Sequence, residues 1–503
     1  MGKSIKKNYI FNLIYQLLLI VIPLISIPYL SRVLLEDGIG VYSYSESIVS
    51  YFTLVAVLGS TTYAQREIGK VQNNVEERSR LFWEIFIIRL LASIIAIGGY
   101  SIYLCFQSDN LLIALIFGLN IFNVLFDLTW FFQGVEDFGK VTAIGFVFKL
   151  LDFAFIFIFV KQQSDLWIYV IGKCGFVLLG NICMWLFLPK YLCRVKNLKP
   201  FKHLKTILVF FVPTVAIQVY TILDKSMIGW FTGNASENGY YDYSEKIIRM
   251  SITIISALTV VLIPRISKAY AENNMDNVKC LVNNAVSFVW LLALPLMFGF
   301  LSISDILVPV YLGENFMKSV LLMNIFAPLI LFVGMANIIG VAFLISIDKQ
   351  NVYIIFVIIS AIVNIILNLI LIPKFASVGA AISSVIAEGI GITLQIVYVF
   401  KKKLLSPKFF FSSSIKSLIS SVIMFAVLYL LKIFVFPVAI WSLIVLTIIG
   451  ILLYFISLLI LRDKFLLNGI RQGLRLIKTK FSKKVLVDDA VEKKDEDENS
   501  SSE

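Results

Sequence analysis

GVYSYSESIVSY, residues 40–51, returns 199 positions later as GYYDYSEKIIRM, residues 239–250, with no gap between the copies. Gly40, Tyr42, Tyr44, Ser45, Glu46 and Ile48 meet Gly239, Tyr241, Tyr243, Ser244, Glu245 and Ile247, so six of the first nine positions are identical, and Arg66 still meets Arg265. The chain is an internal duplication. Its 503 residues are 59% hydrophobic with mean hydropathy +0.90, and a half-length repeat in such a chain predicts two similar helix bundles that rock about a central site.

Charged residues make up 15% of the chain, against about 25% in soluble domains. Apolar runs of bilayer-crossing length recur from residues 9–34 to residues 438–461, about fourteen in all, with no strand-like alternation. The fold class is therefore an all-α polytopic membrane protein: two pseudo-symmetric six-helix lobes plus two peripheral C-terminal helices. The divisions fall at 1–200, 201–403, 404–461 and 462–503. Counting junctions from an inside amino terminus, Lys and Arg gather at alternate turns: Arg66 to Arg80, Lys140, Lys190 to Lys205, Arg265 to Lys279, Lys349, and Lys401 to Lys416. The positive-inside rule then puts the chain in the cell membrane with both termini cytoplasmic. It also accounts for most of the net charge of +12, so nucleic acid is not an expected partner.

The first span is too long for a cleaved leader, and no alanine precedes Ala56. Cys105, Cys174, Cys183, Cys193 and Cys280 are scattered, so neither a disulfide framework nor a metal site is expected. Past Leu461, Leu467, Ile470, Leu474, Ile477 and Phe481 recur at helical spacing beside Arg471, Arg475, Lys478 and Lys480, which reads as an amphipathic helix on the membrane surface. The acidic, serine-rich stretch from Asp488 to Glu503 reads as disordered.

No phosphate-binding G-x-x-x-x-G-K-[ST] loop occurs, and His203, the only histidine, falls in a basic junction where it reads as a solvated loop residue. The chain is therefore not expected to be an enzyme or to hold a cofactor. What it does carry is charge within apolar spans, where each ionisable group facing lipid costs roughly 2.5–3.5 kcal/mol. Those groups must face a wet cavity or one another. Lys149 with Asp152, and Glu245 with Arg249, have the spacing of local pairs, and a static bridge and a working site both fit them. Arg89 has no carboxylate at i±3 or i±4 and needs a partner from elsewhere. Arg32, Arg89, Lys149, Lys173, Lys225 and Arg249 are the candidate substrate-binding cations, a set suited to phosphate oxygens. Asp152, Asp224 and Glu388 are candidates for coupling to a proton or sodium ion. Glu46 and Glu245, at equivalent positions of the repeat, read as helix caps or as ligands for a cation. Pro23 and Pro213, in corresponding spans, are candidate hinges.

Several stretches carry a family resemblance: PYLSRVLLEDGIGVYSYSESIVSYF (28–52), LGSTTYAQREIGK (58–70), WFFQGVEDF (130–138), LDKSMIGWF (223–231), GYYDYSEKI (239–247), LIPRISKAY (262–270) and VNIILNLILIPKFASVGAAISSVIAE (363–388). Together they resemble the polysaccharide transporter family of the multidrug, oligosaccharidyl-lipid and polysaccharide exporter superfamily. The resemblance implies a V-shaped, two-lobed fold of fourteen helices, with Arg32, Arg66 and Arg265 at family-motif basic positions. It further implies an undecaprenyl-diphosphate-linked oligosaccharide as substrate, flipped for capsule or exopolysaccharide assembly, with membrane lipids, a polysaccharide polymerase and other assembly proteins as partners. The expected arrangement has the diphosphate on Arg89, Lys149 and Arg249, with Arg32 near the exit. A cation-coupled exporter of drugs or metabolites, a non-transporting scaffold of the assembly complex and a precursor flippase for peptidoglycan are the alternative readings.

Overall fold

A computed structural model describes residues 2–411, 414–434, 437–463 and 465–471; at 2–17, 19, 20, 209, 210, 212–217, 219, 220 and 409 it describes the backbone alone. The first half comprises α1 (Gly2–Val57), α2 (Ser60–Lys70), α3 (Val75–Phe106), α4 (Leu111–Phe117), α5 (Leu119–Phe126), α6 (Thr129–Gly134), α7 (Phe138–Phe159) and α8 (Leu166–Trp185). The second comprises α9 (Leu204–Thr232), α10 (Ala235–Ala271), α11 (Met275–Tyr311), α12 (Lys318–Phe326), α13 (Pro328–Ala336), a π-helical turn (Asn337–Leu344) and α14 (Gln350–Lys401). The short α15 (Pro407–Phe410) leads to α16 (Ser414–Phe434) and α17 (Ile440–Ile460). No strand occurs among the described residues.

Eleven helical runs there are long and apolar enough to cross a membrane. Two of them hold two crossings each, because α1 breaks at Leu35 (φ 56°) and α14 at Ala376 (φ 51°), left-handed conformations that no helix continues through. With those divided and the 29-residue α9 added, the described residues make fourteen crossings. The chain is a multi-pass membrane protein. Large apolar side chains are exposed along its helices, Ile95 at 68% and Val260 at 72% among them, as a protein set in a bilayer requires.

Each lobe has its own core. Phe82, Ile85, Trp130, Phe131 and Phe132 are fully buried in the first, and Ile228, Ile248, Ile255, Val286, Phe326 and Phe343 in the second. The peripheral pair α16 and α17 packs on α11 through Ile306, Met424, Leu446 and Leu458. A further core joins the lobes, with Leu34, Ile39 and Tyr42 against Tyr243, Ile247, Leu312 and Phe316. It sits near the turns at Leu35, Gly233 and Gly313, called here the far end; the turns rich in Lys and Arg form the basic end.

At the far end the duplication becomes contact geometry. A Cβ on Gly40 would stand 1.7 Å from the Ala235 carbonyl oxygen, and one on Gly239 2.1 Å from that of Glu36. Glu36 and Ala235 occupy the same place in the two copies, so the pseudo-twofold axis passes between these backbones, which touch because glycine leaves room. Ser236 donates to Asp37 across the same axis. The break in α1 falls at Leu35 rather than at a proline, and Pro28 does a different job. Lacking an N–H, it leaves the Leu24 carbonyl without its helical donor, and the Tyr311 hydroxyl of the other lobe fills the gap at 2.7 Å. Pro23 lies on the wall of the central cavity, while α9 is helical through position 213 and the Pro213 side chain lies outside the described residues.

At the basic end the reading of His203 as solvated is wrong: it is 8% exposed. Its Nε2 lies 2.7 Å from Glu84 Oε2 and its Nδ1 2.6 Å from the Tyr63 hydroxyl. The carboxylate only accepts, so a neutral imidazole here carries its proton on Nε2 and accepts from Tyr63 at Nδ1. Glu84 also accepts from Lys199 N at 2.8 Å and Lys202 Nζ at 2.9 Å, which staples the connector between the lobes to α3. Replacing Glu84 with Ala strands these donors and is expected to cost about 3 kcal/mol. Tryptic cleavage after Arg194 and Lys196, both exposed, should then accelerate; an unchanged digestion rate would contradict the staple. Nearby, burial pushes the Asp137 carboxyl up, but hydrogen bonds from Lys140 and Tyr191 outweigh it and hold it below its ordinary value. Of the amphipathic helix, residues 465–471 are helical; Leu474, Arg475, Ile477, Lys478, Lys480, Phe481 and the acidic tail lie outside the described residues.

Candidate functional site

Between the lobes lies a cavity of about 480 Å³, walled by α1 (Pro23, Ser26, Tyr42, Glu46), α8 (Tyr169, Lys173) and α10 (Tyr243, Lys246, Arg249, Thr253). Helical periodicity builds it: Asp242, Glu245, Lys246 and Arg249 share one face of α10, Tyr169 and Lys173 one face of α8, and Tyr42 and Glu46 one face of α1. Asn234 caps α10 by accepting from Ser236 N at 3.0 Å, fixing where that face begins. Ile22, Ile27, Leu30 and Met250 add apolar side chains to its lining, and Leu24 (50% exposed), Ile25 (47%) and Ile254 (57%) are exposed apolar residues next in sequence to lining positions.

Every cation in this cavity leans on a carboxylate. Lys173 Nζ lies 3.2 Å from Asp152 Oδ2, and Lys246 Nζ 2.6 Å from Asp242 Oδ2. Arg249 gives only its Nε to Glu245, at 2.7 Å, and its side chain is 46% exposed. Among the described residues its two terminal nitrogens have no hydrogen-bond partner, so a planar fork of donors points into the cavity. Lys225 lies behind this wall, 2.6 Å from Asp242 Oδ1 and 3.3 Å from Glu245 Oε2. It holds the acidic groups that hold the exposed cations.

Three other candidates sit elsewhere. Arg89, 1% exposed, lines no cavity described here: Nη1 donates to the Asp127 carbonyl at 3.0 Å, Nη2 lies 3.6 Å from Asp127 Oδ2, and the guanidinium stands over the Trp130 ring. The partner missing from its own helix comes from the break between α5 and α6, so the expected phosphate contact gives way to a structural tie. Arg32 caps the end of α11, donating to the carbonyls of Val310 at 2.6 Å and Tyr311 at 3.2 Å. Lys149 shares Asp152 with Lys173, at 3.5 Å, but opens on a separate groove between α7 and α8. Conversely, Lys246 and Glu46, charges within apolar spans that are not among the expected substrate-binding cations or coupling carboxylates, also line the cavity. Their position in one repeat unit with Arg249 is the signal that finds them.

Asp224 is 5% exposed and forms no ion pair among the described residues. Its carboxylate accepts from Asn368 Nδ2 at 2.6 Å, Tyr241 OH at 2.6 Å and Ser384 Oγ. Asn364 Oδ1 is bound to the same Asn368 amide at 3.0 Å, and Asn368 Oδ1 is buried with no partner. Glu388 faces the narrow cleft that joins this oxygen cluster to Glu245 and Arg249.

The comparisons with known proteins agree with this architecture. A protein of Escherichia coli (strain K12) described as an O-antigen transporter is 21% identical over 411 residues, covering 80% of this chain and 98% of its own. A Haloferax volcanii protein described as a low-salt glycan biosynthesis flippase is 26% identical over 210 residues, 42% of this chain and 44% of its own. The fold is that of the lipid II flippase MurJ in an inward closed conformation, with TM-score 0.73 and 17% identity over 91% of this chain and 99% of that one. An inward-facing multidrug MATE transporter shares the fold at TM-score 0.56 and 15% identity, over 76% of this chain and 98% of that one. Two repeated lobes, fourteen crossings and a charged cavity thus stand beside a family match over residues 5–270, more than half the chain, and the chain belongs to the polysaccharide biosynthesis protein family.

Proposed function

We propose that the chain is a flippase that carries an undecaprenyl-diphosphate-linked oligosaccharide repeat unit across the cell membrane for capsule or exopolysaccharide assembly, with the basic end in the cytoplasm. The observation that supports this most is the open Arg249 fork at the cavity between the lobes, which Lys173 and Lys246 also line. Two terminal N–H groups match the paired oxygens of a diphosphate, and the carboxylates behind these cations keep them affordable inside a membrane. A lipid tail stays among Leu24, Ile25 and Ile254 while the polar head enters. Closure at Gly40 and Gly239 seals the far end during loading, and rocking of the lobes about that contact exposes the head on the other side.

The test is complementation of a deletion strain with Arg249→Lys and Arg249→Gln. Loss of the fork with charge retained should lower surface polymer by roughly tenfold, and loss of both should leave repeat units on the inner leaflet. Full polymer with Arg249→Gln would overturn the assignment.

A proton or sodium ion bound at Asp224 would drive the cycle, since its carboxylate, Asn364 Oδ1 and Asn368 Oδ1 are oxygen ligands already gathered in one place. Asp224→Asn keeps the shape and removes the charge. It is expected to abolish the response of transport to an imposed proton or sodium gradient; a gradient response retained in the variant would remove this role.

A further inference from the structure

The two copies of the repeat differ in chemistry at the cavity. Shifted by 199 positions, Lys225, Asp242, Lys246 and Arg249 become Ser26, Ser43, Ser47 and Ser50, whereas Glu245 becomes Glu46. One copy carries charges where the other carries hydroxyls, of which Ser26 lines the cavity, and both copies have a carboxylate at the Glu46 and Glu245 position. Glu245 is neutralised by Arg249 and Lys225. Glu46 has no such cations at the matching places, and among the described residues no Lys or Arg nitrogen lies within the 4.0 Å of an ion pair. It accepts from the Tyr42 hydroxyl at 3.0 Å, leaving acceptor capacity turned to the cavity. Ser26 lines the same cavity, and the Tyr169 ring packs 5.0 Å from that of Tyr42.

We infer that Glu46 sets the glycan specificity of the cavity: the sugar that lies against α1 is uncharged or carries an amino group, and a uronic acid at that position is refused. The inference rests on the flippase reading, which puts the diphosphate on Lys246 and Arg249 and so turns the first sugars toward Ser26, Tyr42 and Glu46. A carboxylate accepts hydrogen bonds from sugar hydroxyls or an ammonium group. A uronate there brings like charge to a half-buried site, where weak screening makes the repulsion large. Rejection by an unfavourable group discriminates more sharply than attraction alone.

The experiment measures binding of three synthetic lipids to the purified full chain in nanodiscs: undecaprenyl diphosphate, the same lipid bearing a neutral disaccharide, and the same lipid bearing a disaccharide with one uronic acid. The bare diphosphate tests the flippase reading, and no binding of it by the wild-type protein ends that reading and this inference together. The ratio of neutral to uronate binding tests the inference alone and is read within each variant, so a general change in affinity cancels. The wild-type ratio is expected to be roughly tenfold in favour of the neutral glycan and to fall to about twofold or less in Glu46→Gln. Diphosphate binding with a wild-type ratio near one, or a ratio unchanged in Glu46→Gln, overturns the role of Glu46 and leaves the flippase reading standing. A wild-type ratio near one overturns the inference even if Glu46→Gln does not fold, and Glu46→Asp, which keeps the charge, should then retain the preference for the neutral glycan.

Discussion

Gly40→Ala should reduce transport by more than tenfold while leaving the protein folded. The new Cβ would stand 1.7 Å from the Ala235 oxygen and 2.4 Å from its carbonyl carbon, where real contacts need about 3.4 Å. Both atoms are backbone, so no rotamer relieves the clash and the lobes must separate at the far end. The individual cores around Phe82 and around Ile255 are remote from this contact and persist. The expected loss is therefore of closure rather than of folding. Gly239→Ala should behave alike, because its Cβ would stand 2.1 Å from the Glu36 oxygen. Closure can be read directly by oxidative cross-linking of cysteines placed by Asp37→Cys and Ser236→Cys, residues in hydrogen-bond contact across the axis. The pair should cross-link in the otherwise unchanged protein and lose most of that yield when Gly40→Ala is added; undiminished yield would contradict the contact.

Asp242→Asn should be the most destabilising change on the cationic wall. Asp242 is fully buried and holds Lys225 and Lys246, each at 2.6 Å. Removing one partner of a buried pair typically costs about 3–5 kcal/mol, chiefly because the other charge stays buried without compensation. A large drop in melting temperature in detergent is expected, with part of it recovered in Asp242→Asn, Lys225→Met, where the stranded ammonium is removed as well. Breaking the exposed pair of Lys268 and Glu272, 3.8 Å apart with side chains 78% and 56% exposed, should change stability by about 0.5 kcal/mol or less. Equal effects at the two places would mean that the cavity network is solvated and weak.

What sequence could reveal divides along the range of the interactions. The repeat, the helical class and the spans follow from local periodicity, and so do the pairs Glu245 with Arg249 and Lys149 with Asp152, which the structure forms. Arg89 shows the limit. Its lack of a partner at i±3 or i±4 was legible, but the partner, Asp127, comes from a helix break that spacing does not locate. His203 looked solvated because its neighbours are lysines, yet Glu84 and Tyr63 arrive from distant segments. The prolines marked bending, but the turn in α1 is made at Leu35, and Pro28 matters for the carbonyl it frees. Lys246 and Glu46 were legible as charges within apolar spans, but spacing along one helix does not tell a cavity wall from a local role. Only the opposition of α1 and α10 across the axis shows that both face one cavity.

The most direct test of the central claim is translocation by the purified protein alone. Repeat-unit lipids extracted from the host's own deletion strain are placed in proteoliposomes, and their exposure on the opposite leaflet is followed with an impermeant glycan-modifying enzyme. The wild-type protein should move the lipid within minutes, and Arg249→Gln should not. Equal, slow exposure with wild type, with Arg249→Gln and in protein-free vesicles would contradict the claim.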